Sequence, residues 1–499
     1  MNFSIIKNII GKILILLAAL MVLPLIVSFI YQEGITYYLA YIIPIVVLVL
    51  LGILLNIKKA KSSKMLVREG MIIVGLSWLM MSLFGCIPFI LTKDIPNFFD
   101  AFFEMASGFT TTGASIVPNV EVLSHSTLFW RSFSHWIGGM GVLVFILAII
   151  PESKEGSSLH ILRAESPGPQ VGRLVSKMAA SSRILYIIYM VLTLVEFLLL
   201  LLGPDTEMNV FHSLIYSLGT AGTGGFSAHA DGLASFTAYS QYVISIFMIV
   251  FGINFSMFYL LLIKNVKDVY KNTEIKVYII TAILSVLIIC FNIYPQVGNV
   301  EETFRLSLFQ VASIISTTGY STCDFNTWPI LSKVIILLLI CFGACAGSTA
   351  GGFKMSRVVI LFKSAVAKVK KLVRPRKVEV VYMDSKPLSE ATVDSVMGYF
   401  VVYVLVFIVC TVLISIYNPN MPNIDLETTI TSSLTCLNNV GPGLGSIVGP
   451  AGNFSLYSNF SKLVLTLEMI AGRLELFPIL LFWLRFTLFH LRLYLHKHS

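Results

Sequence analysis

Between Lys12 and Lys58 only one residue, Glu33, carries a formal charge. Two apolar runs fill the interval, at 9–31 and 38–57. Each is about the length that crosses a hydrocarbon core of roughly 30 Å. Similar runs recur along the chain, so the bilayer is the solvent for most of it. Backbone groups in that solvent must find partners inside the fold, and runs of this length read as spanning helices.

Composition agrees with that reading. Of the 499 residues, 56% are hydrophobic and 12% charged, against roughly 25% charged in a soluble domain. A net charge of +9 would suggest a nucleic-acid partner in a soluble protein. Here the bases cluster in a few loops, as cytoplasmic loops of membrane proteins do. Lys58, Lys59, Lys61, Lys64 and Arg68 follow the second run, whereas Tyr31–Tyr38 holds one acid and no base. That asymmetry places the N-terminus in the cytoplasm. The first run is long and no small-residue cleavage motif follows it, so it reads as a retained helix. The seven cysteines (Cys86, Cys290, Cys323, Cys341, Cys345, Cys410, Cys436) form no C-x-x-C pair. They read as small packing residues, not as a disulfide framework or zinc site.

After the two leading spans a unit repeats four times, over 69–150, 184–263, 277–362 and 391–486. Each is an apolar span, a re-entrant segment rich in Thr, Ser and Gly, and a second apolar span. The spacers are basic: Lys363, Lys368, Lys370, Lys371, Arg374, Arg376, Lys377 and Lys386 lie between the last two units. The opposite-side segments are acidic, with Asp94, Asp100, Asp205, Glu207, Asp231, Glu301, Glu302, Asp324, Asp425 and Glu427. The re-entrant segments therefore open from the outer face and both termini are cytoplasmic. The expected fold is an all-α polytopic membrane protein: four pseudo-repeated helix–pore loop–helix units around a central pore, plus two N-terminal transmembrane helices. It divides at 1–68, 69–183, 184–276, 277–390 and 391–499, with ten full crossings and four half-crossings. The basic tail after Phe486 reads as an interfacial helix.

The re-entrant segments share a pattern. Phe102 to Gly113 ends in Thr-Thr-Gly-Ala-Ser, and Leu308 to Gly319 ends in Thr-Thr-Gly-Tyr-Ser, at equal spacing. Ile430 to Gly441 keeps that spacing. The second segment offers two registers. Helix length, counted from Phe211, selects Gly222; the Gly-aromatic-Ser pattern selects Gly225, before Phe226 and Ser227. The length count is preferred. Four such loops suit a ring of backbone carbonyls that replaces an ion's hydration shell, with Gly permitting the required backbone angles.

Two further features sit within apolar spans. Gly343–Phe353 breaks the third closing span with small residues, as helix contacts and gating breaks do. It lacks the spacing of a phosphate loop. Arg473 lies in the fourth closing span, either paired with Glu468 or Glu475 or, as preferred, below the loops where its charge limits cation passage. Glu104 and Asp324 are either cation attractors or capping acids, and Glu196 is expected to pair with a neighbouring helix.

The loops TTTG-A-S, STTG-Y-S and NNVGPGLG, with Ser134–Val142, Arg163–Gln170, Gly347–Met355 and Ala471–Ile479, resemble the TrkH branch of the Trk/Ktr/HKT superfamily of potassium transporters. The resemblance covers nearly the whole chain. It implies ion-lining positions at Thr111, Thr112, Gly113; Thr220, Ala221, Gly222; Thr317, Thr318, Gly319; and Asn439, Val440, Gly441. It implies a constriction at the 343–353 loop, with Gly343, Gly347, Gly351 and Gly352, together with Arg473. It further implies a homodimer with one pore per subunit in the bacterial inner membrane, and a TrkA-like cytoplasmic ring with nucleotide-binding domains. Gly113, which sodium-favouring plant relatives often replace with serine, is retained. The transported ion is then potassium, with no organic cofactor on this chain and no nucleic-acid partner. Sodium, mixed-cation or proton-coupled transport are the alternatives, and the absence of an acidic relay in the spans favours channel-like flow. No H-E-x-x-H, G-x-S-x-G or intramembrane carboxylate dyad supports an enzyme.

Overall fold

The computed structural model describes residues 3–58, 67–141, 178–376, 379–421 and 424–476. The Arg163–Gln170 segment, most of the basic loop at 58–68 and the tail after Phe486 lie outside them. Apart from one short hairpin the described chain is helical, as the apolar runs predict, and the protein is a multi-pass membrane protein.

Helices α1 (Phe3–Leu20) and α2 (Val22–Ile30) make one leading span, and α3 (Ile35–Asn56) makes the second. Their backbones meet at Gly11 and Gly52. A Cβ on either glycine would stand within 2.9 Å of the other's carbonyl oxygen, so small residues set the spacing of this pair.

The first unit holds α4 (Val67–Gly85), α5 (Ile87–Thr92), the short α6 (Phe98–Phe109) and the closing α7 (His125–Gly139). In the second, α8 (Met178–Leu201) precedes the short α9 (Val210–Gly222), then α10 (Ala238–Phe251) and α11 (Phe255–Leu262). A connecting α12 (Val266–Lys271) leads to α13 (Thr273–Val297), the short α14 (Val300–Ile315), α15 (Ile330–Cys341) and α16 (Met355–Val373). Strands β1 (Tyr382–Met383) and β2 (Lys386–Pro387) pair antiparallel, Tyr382 facing Pro387. The last unit holds α17 (Glu390–Ile416), the short α18 (Leu426–Asn438) and α19 (Asn459–Arg473).

The layering inverts that of a soluble protein. Long helices turn apolar side chains outward; Leu405, Val409 and Val412 of α17 are exposed. The short helices, richest in Ser and Thr, are innermost: Ser107, Thr220, Ser313 and Ser432 are fully buried. Several hydroxyls of these helices are satisfied within the helix, as when Thr220 donates to Tyr216 O at 2.8 Å and Ser307 to Thr303 O at 2.7 Å, and Ser313 donates to Tyr320 O in the following loop. Each short helix starts at Asn97, Asn209, Asn299 or Asp425. The three asparagines accept a first-turn N–H, the N-cap bond that orphan helix donors require.

Ten crossings were expected. Among the described residues six helices are long and apolar enough to cross a membrane, and α10 with α11 makes a seventh, bent by 92°. The second helices of the units are the short ones. α7 stops at Gly139, α10 turns at Gly252–Asn254, α15 stops at Cys341 and α19 at Arg473. Small residues signal this break in the third unit and, as Gly138, Gly139 and Gly141, in the first.

Replacing Gly52 by Val drives a branched side chain into the Gly11 backbone. Overpacking of this kind costs about 1–3 kcal/mol. The Gly52→Val protein should lose several degrees of thermal midpoint in detergent, whereas Gly75→Ala, where a Cβ meets nothing within 4 Å, should not.

Candidate functional site

The C-termini of α6, α9, α14 and α18 converge and end alike. The N–H groups of Thr112, Gly224, Thr318 and Val440 donate to Ser107, Gly219, Ser313 and Thr435 carbonyls at 2.8–3.0 Å. The residue before each, Thr111, Thr223, Thr317 or Asn439, donates to Gly108, Thr220, Ile314 or Cys436. This paired closure is the Schellman motif, and it demands a left-handed residue. Thr111, Thr223, Thr317 and Asn439 supply it, with φ between 53° and 57°. Glycine usually stands there, and a β-branched residue resists it. Three strained threonines, each costing on the order of 1–3 kcal/mol, persist only where the surroundings impose them.

Two residues further on come Gly113, Gly225, Gly319 and Gly441, all at positive φ. They interlock in a circle. A Cβ on Gly113 would strike the Gly224 carbonyl oxygen; on Gly225, that of Thr318; on Gly319, that of Val440; on Gly441, that of Thr112. The four loops therefore close on one axis in sequence order, and any side chain at these glycines would occupy a neighbour's carbonyl. The four helices also aim the negative ends of their dipoles at this ring, an arrangement that favours a cation.

The ring corrects the second segment. Thr220, Ala221 and Gly222 form the last turn of α9, and the loop positions belong to Thr223, Gly224 and Gly225. Ala221 packs among Tyr189, Phe247 and Phe251. The error came from counting helix length from an apolar residue. Counted from the cap, Asn97 to Gly113, Asn209 to Gly225 and Asp425 to Gly441 have one spacing; only Asn299 to Gly319 is longer, by one helical turn. The cap asparagine was the usable signal.

Above the ring lies an open bowl lined by the four glycines, Tyr320, Arg131 and His229. Arg131 is buried and missed by sequence reading. Its Nε lies 2.8 Å from Glu104 Oε1, it donates to Ser115 Oγ and Ser227 O, and it covers the Phe226 ring at 4.2 Å. Glu104 in turn accepts from Ile116 N–H at 2.7 Å. Glu104 is thus a structural carboxylate that ties two loops together. Asp324 caps a short turn, its Oδ1 accepting from Asn326 N–H. His135 links the same two loops: its Nδ1 bonds Gly108 O at 2.8 Å, and its Nε2 accepts from Phe226 N–H. Glu196, expected to pair with a neighbouring helix, is buried, and among the described residues neither of its oxygens has a hydrogen-bond donor.

Beneath the ring the 343–353 loop fills the axis. Gly351 N–H donates to Thr317 Oγ1 at 2.8 Å, and Phe353 N–H to Asn438 Oδ1 at 3.2 Å. Glycine at 351 lets the loop lie against Asn438 and Asn439, where a Cβ would stand 2.8 Å from the Asn438 carbonyl oxygen, and Gly352, at positive φ, abuts Gly343, whose Cα would stand 3.0 Å from a Cβ there. Thr349 O accepts from Arg473 at 2.7 Å, and Gly138 and Gly139 carbonyls accept from its other nitrogen at 2.6 Å. Of the two acids considered as its partners, Glu475 binds Arg357, and Glu468 accepts from Ser433. A cavity under the loop is lined by Arg473, Lys354, Glu475 and the ends of α7 and α19. Lys354, also missed, is buried and donates to Ala350 O. Gly343, Gly347, Gly351 and Gly352 all lie in this plug, while Gly347 also abuts Asn254 at the α10–α11 bend.

Comparison with known proteins places this geometry. The family TrkH, described as cation transport protein, matches residues 40–486. The Trk system potassium uptake protein TrkH of Salmonella typhimurium is 33% identical, over 96% of this chain and 98% of that protein. Its Escherichia coli K12 counterpart is 32% identical over the same shares. The crystal structure of the potassium transporter TrkH from Vibrio parahaemolyticus superposes with a TM-score of 0.84 at 29% identity, covering 97% of this chain and 98% of that one.

Removing one partner of the buried Glu104–Arg131 pair strands a charge, at a cost of about 3–5 kcal/mol. Arg131→Met should therefore sharply lower the thermal midpoint, and adding Glu104→Leu should recover most of the loss. A double variant no more stable than Arg131→Met would argue against the pair.

Proposed function

The chain belongs to the TrkH family of cation transport proteins, and on that premise we propose that it is a potassium-uptake pore. The observation that carries the reading is the closed ring of Gly113, Gly225, Gly319 and Gly441 against the Thr112, Gly224, Thr318 and Val440 carbonyls. Inward carbonyl dipoles, backed by four helix C-termini, stand in for the water that potassium sheds on entering. Thr111, Thr112, Thr223, Gly224, Thr317, Thr318, Asn439 and Val440 are the ion-lining residues on this reading. Their side chains brace the loops: Thr112 Oγ1 contacts Thr110 at 2.7 Å and accepts from Asn439 at 2.9 Å, and Thr318 contacts Ser316 at 2.6 Å. Bracing matters because discrimination between potassium and sodium needs carbonyls that do not collapse onto the smaller ion.

The loop and Arg473 are the gate below. A fixed positive charge about 4 Å from a passing cation, at an effective dielectric of about 20, opposes it by roughly 4 kcal/mol. That is close to a thousandfold in rate. Lys354 adds to the same field. Opening therefore requires the loop to withdraw and Arg473 to leave its three carbonyls. The basic face, with Lys363, Lys368, Lys370 and Lys371 on α16, is cytoplasmic by the positive-inside rule. It is the side on which a TrkA-like nucleotide-binding ring would act. The complete transporter on this reading is a homodimer in the bacterial inner membrane, with a gated, channel-like pore in each subunit.

Two experiments test this in proteoliposomes. Gly225→Ala should cut rubidium and potassium uptake by at least tenfold, while Ala221→Gly, inside the α9 helix, should keep the potassium-to-sodium ratio; the reverse pattern would restore the Gly222 register. Arg473→Ala should raise potassium flux by tenfold or more, and unchanged flux would remove Arg473 from the gate.

A further inference from the structure

The loop that plugs the pore is tied at its neck as well as at its tip. Gly343 N–H donates to Phe353 O at 3.0 Å, and Met355 N–H to Ala344 O at 3.1 Å. One further side chain reaches the neck from another helix. Oε1 of Glu274 accepts from Ala346 N–H at 2.7 Å and from Ser356 N–H at 2.9 Å. A single carboxylate oxygen thus bridges the two sides of the loop. Glu274 is buried. It sits in the first turn of α13, where an acid ordinarily serves its own helix. That role is already filled by Asn272, whose side chain accepts from Ile275 N–H. The carboxylate caps α16 instead, and α16 has no capping side chain of its own at Lys354.

The same helix end is held from the other direction. The turn between β1 and β2 carries Asp384 and Ser385 at positive φ. Asp384 Oδ1 accepts from Thr273 N–H at 2.7 Å, and its Oδ2 lies 3.4 Å from Asn272 Nδ2. The order is continuous: hairpin tip, start of α13, Glu274, neck of the loop. The hairpin lies in the basic segment between the third and fourth units, the face on which the partner is proposed to act.

We propose that Glu274 is a positioning residue that holds the intramembrane loop in its blocking position, and that the Asp384 hairpin tip bears on the gate through it. This rests on the reading of the 343–353 loop as the gate. Lifting the tip withdraws two acceptors from the start of α13, shifts Glu274, and frees Ala346 and Ser356 together. The loop then keeps its two backbone neck bonds, its contacts with Thr317, Asn438 and Arg473 and those with the α10–α11 bend, but loses the carboxylate that joins its two sides.

The test is rubidium uptake by proteoliposomes of the full chain, without partner. Glu274→Ala should raise uptake by about tenfold, the worth of a lost charge-assisted hydrogen bond. Glu274→Gln keeps the acceptor oxygen and should stay within about threefold of wild type, since it loses the charge and not the bridge. Asp384→Ala should raise uptake by a smaller factor, and the double variant with Glu274→Ala should match Glu274→Ala alone. Multiplying effects would overturn the relay, because independent sites add in free energy. Glu274→Gln as open as Glu274→Ala would overturn the bridge. Arg473→Ala, run in parallel, separates the two readings. If it opens the pore and Glu274→Ala does not, the clamp fails and the gate stands. If neither opens it, the gate itself fails. Glu274→Ala protein that does not fold would be read through Asp384→Ala, for which unchanged uptake overturns the proposal.

Discussion

Backbone polar groups at the centre of this protein have no bulk water to bond with, and the structure follows from how they are satisfied. The Schellman closure ends each short helix by bonding its last carbonyls internally. The next carbonyls, of Thr112, Gly224, Thr318 and Val440, then lie against the glycines of the neighbouring loops. Everything around the loops serves that geometry: Glu104 with Arg131 and His135 between the first two, Asn439 between the fourth and the first. Ser and Thr suit the short helices because many of their hydroxyls bond a carbonyl one turn back, so most of a polar core can be buried with its donors paired. The apolar helices outside are the wall that keeps lipid away.

The same axis changes character with depth. At the ring, helix dipoles and carbonyls favour a cation. A short distance below, the Arg473 guanidinium and the Lys354 ammonium oppose one, held by carbonyls of the plug and of α7. On the proposed reading, attraction above and repulsion below would separate two tasks, choosing the ion and stopping it. The breaks in the four closing helices make this possible. Their free ends supply carbonyls and cavity walls at the depth where an unbroken helix would present only side chains.

Much of this was legible in the sequence. Charge-free runs gave the helices, and the repeated Thr-Ser-Gly segments gave four loops. Glycine spacing placed Gly113, Gly319 and Gly441. The second loop misled because Gly222 and Gly225 both lie near a helix end, and an apolar starting residue is a poor ruler. The cap asparagine is a better one, since it marks where the helix backbone begins. Arg473 was legible as a buried charge, yet its partners were not, because carbonyl acceptors leave no trace in a side-chain pattern. Glu274 was invisible for the same reason. An acid in a first helical turn looks like an ordinary cap, and only the fold shows that it caps a different helix. The first closing helix ends among Gly138, Gly139 and Gly141, a signal that went unread, and the second and fourth carry only Gly252 and Gly472 within apolar surroundings.

The interlocking of the four glycines also bears on how the molecule is made. Each loop finds its neighbour's carbonyl on a segment one unit away in the chain, except that the last must find the first: Gly441 against Thr112, and Asn439 bonded to Thr112. Ribosomes deliver the units in order, so the circle stays open until the final short helix enters the membrane. A chain that stops short leaves the Thr112 carbonyl and hydroxyl without their Gly441 and Asn439 neighbours. The ring of four loops is thus incomplete in every unfinished chain.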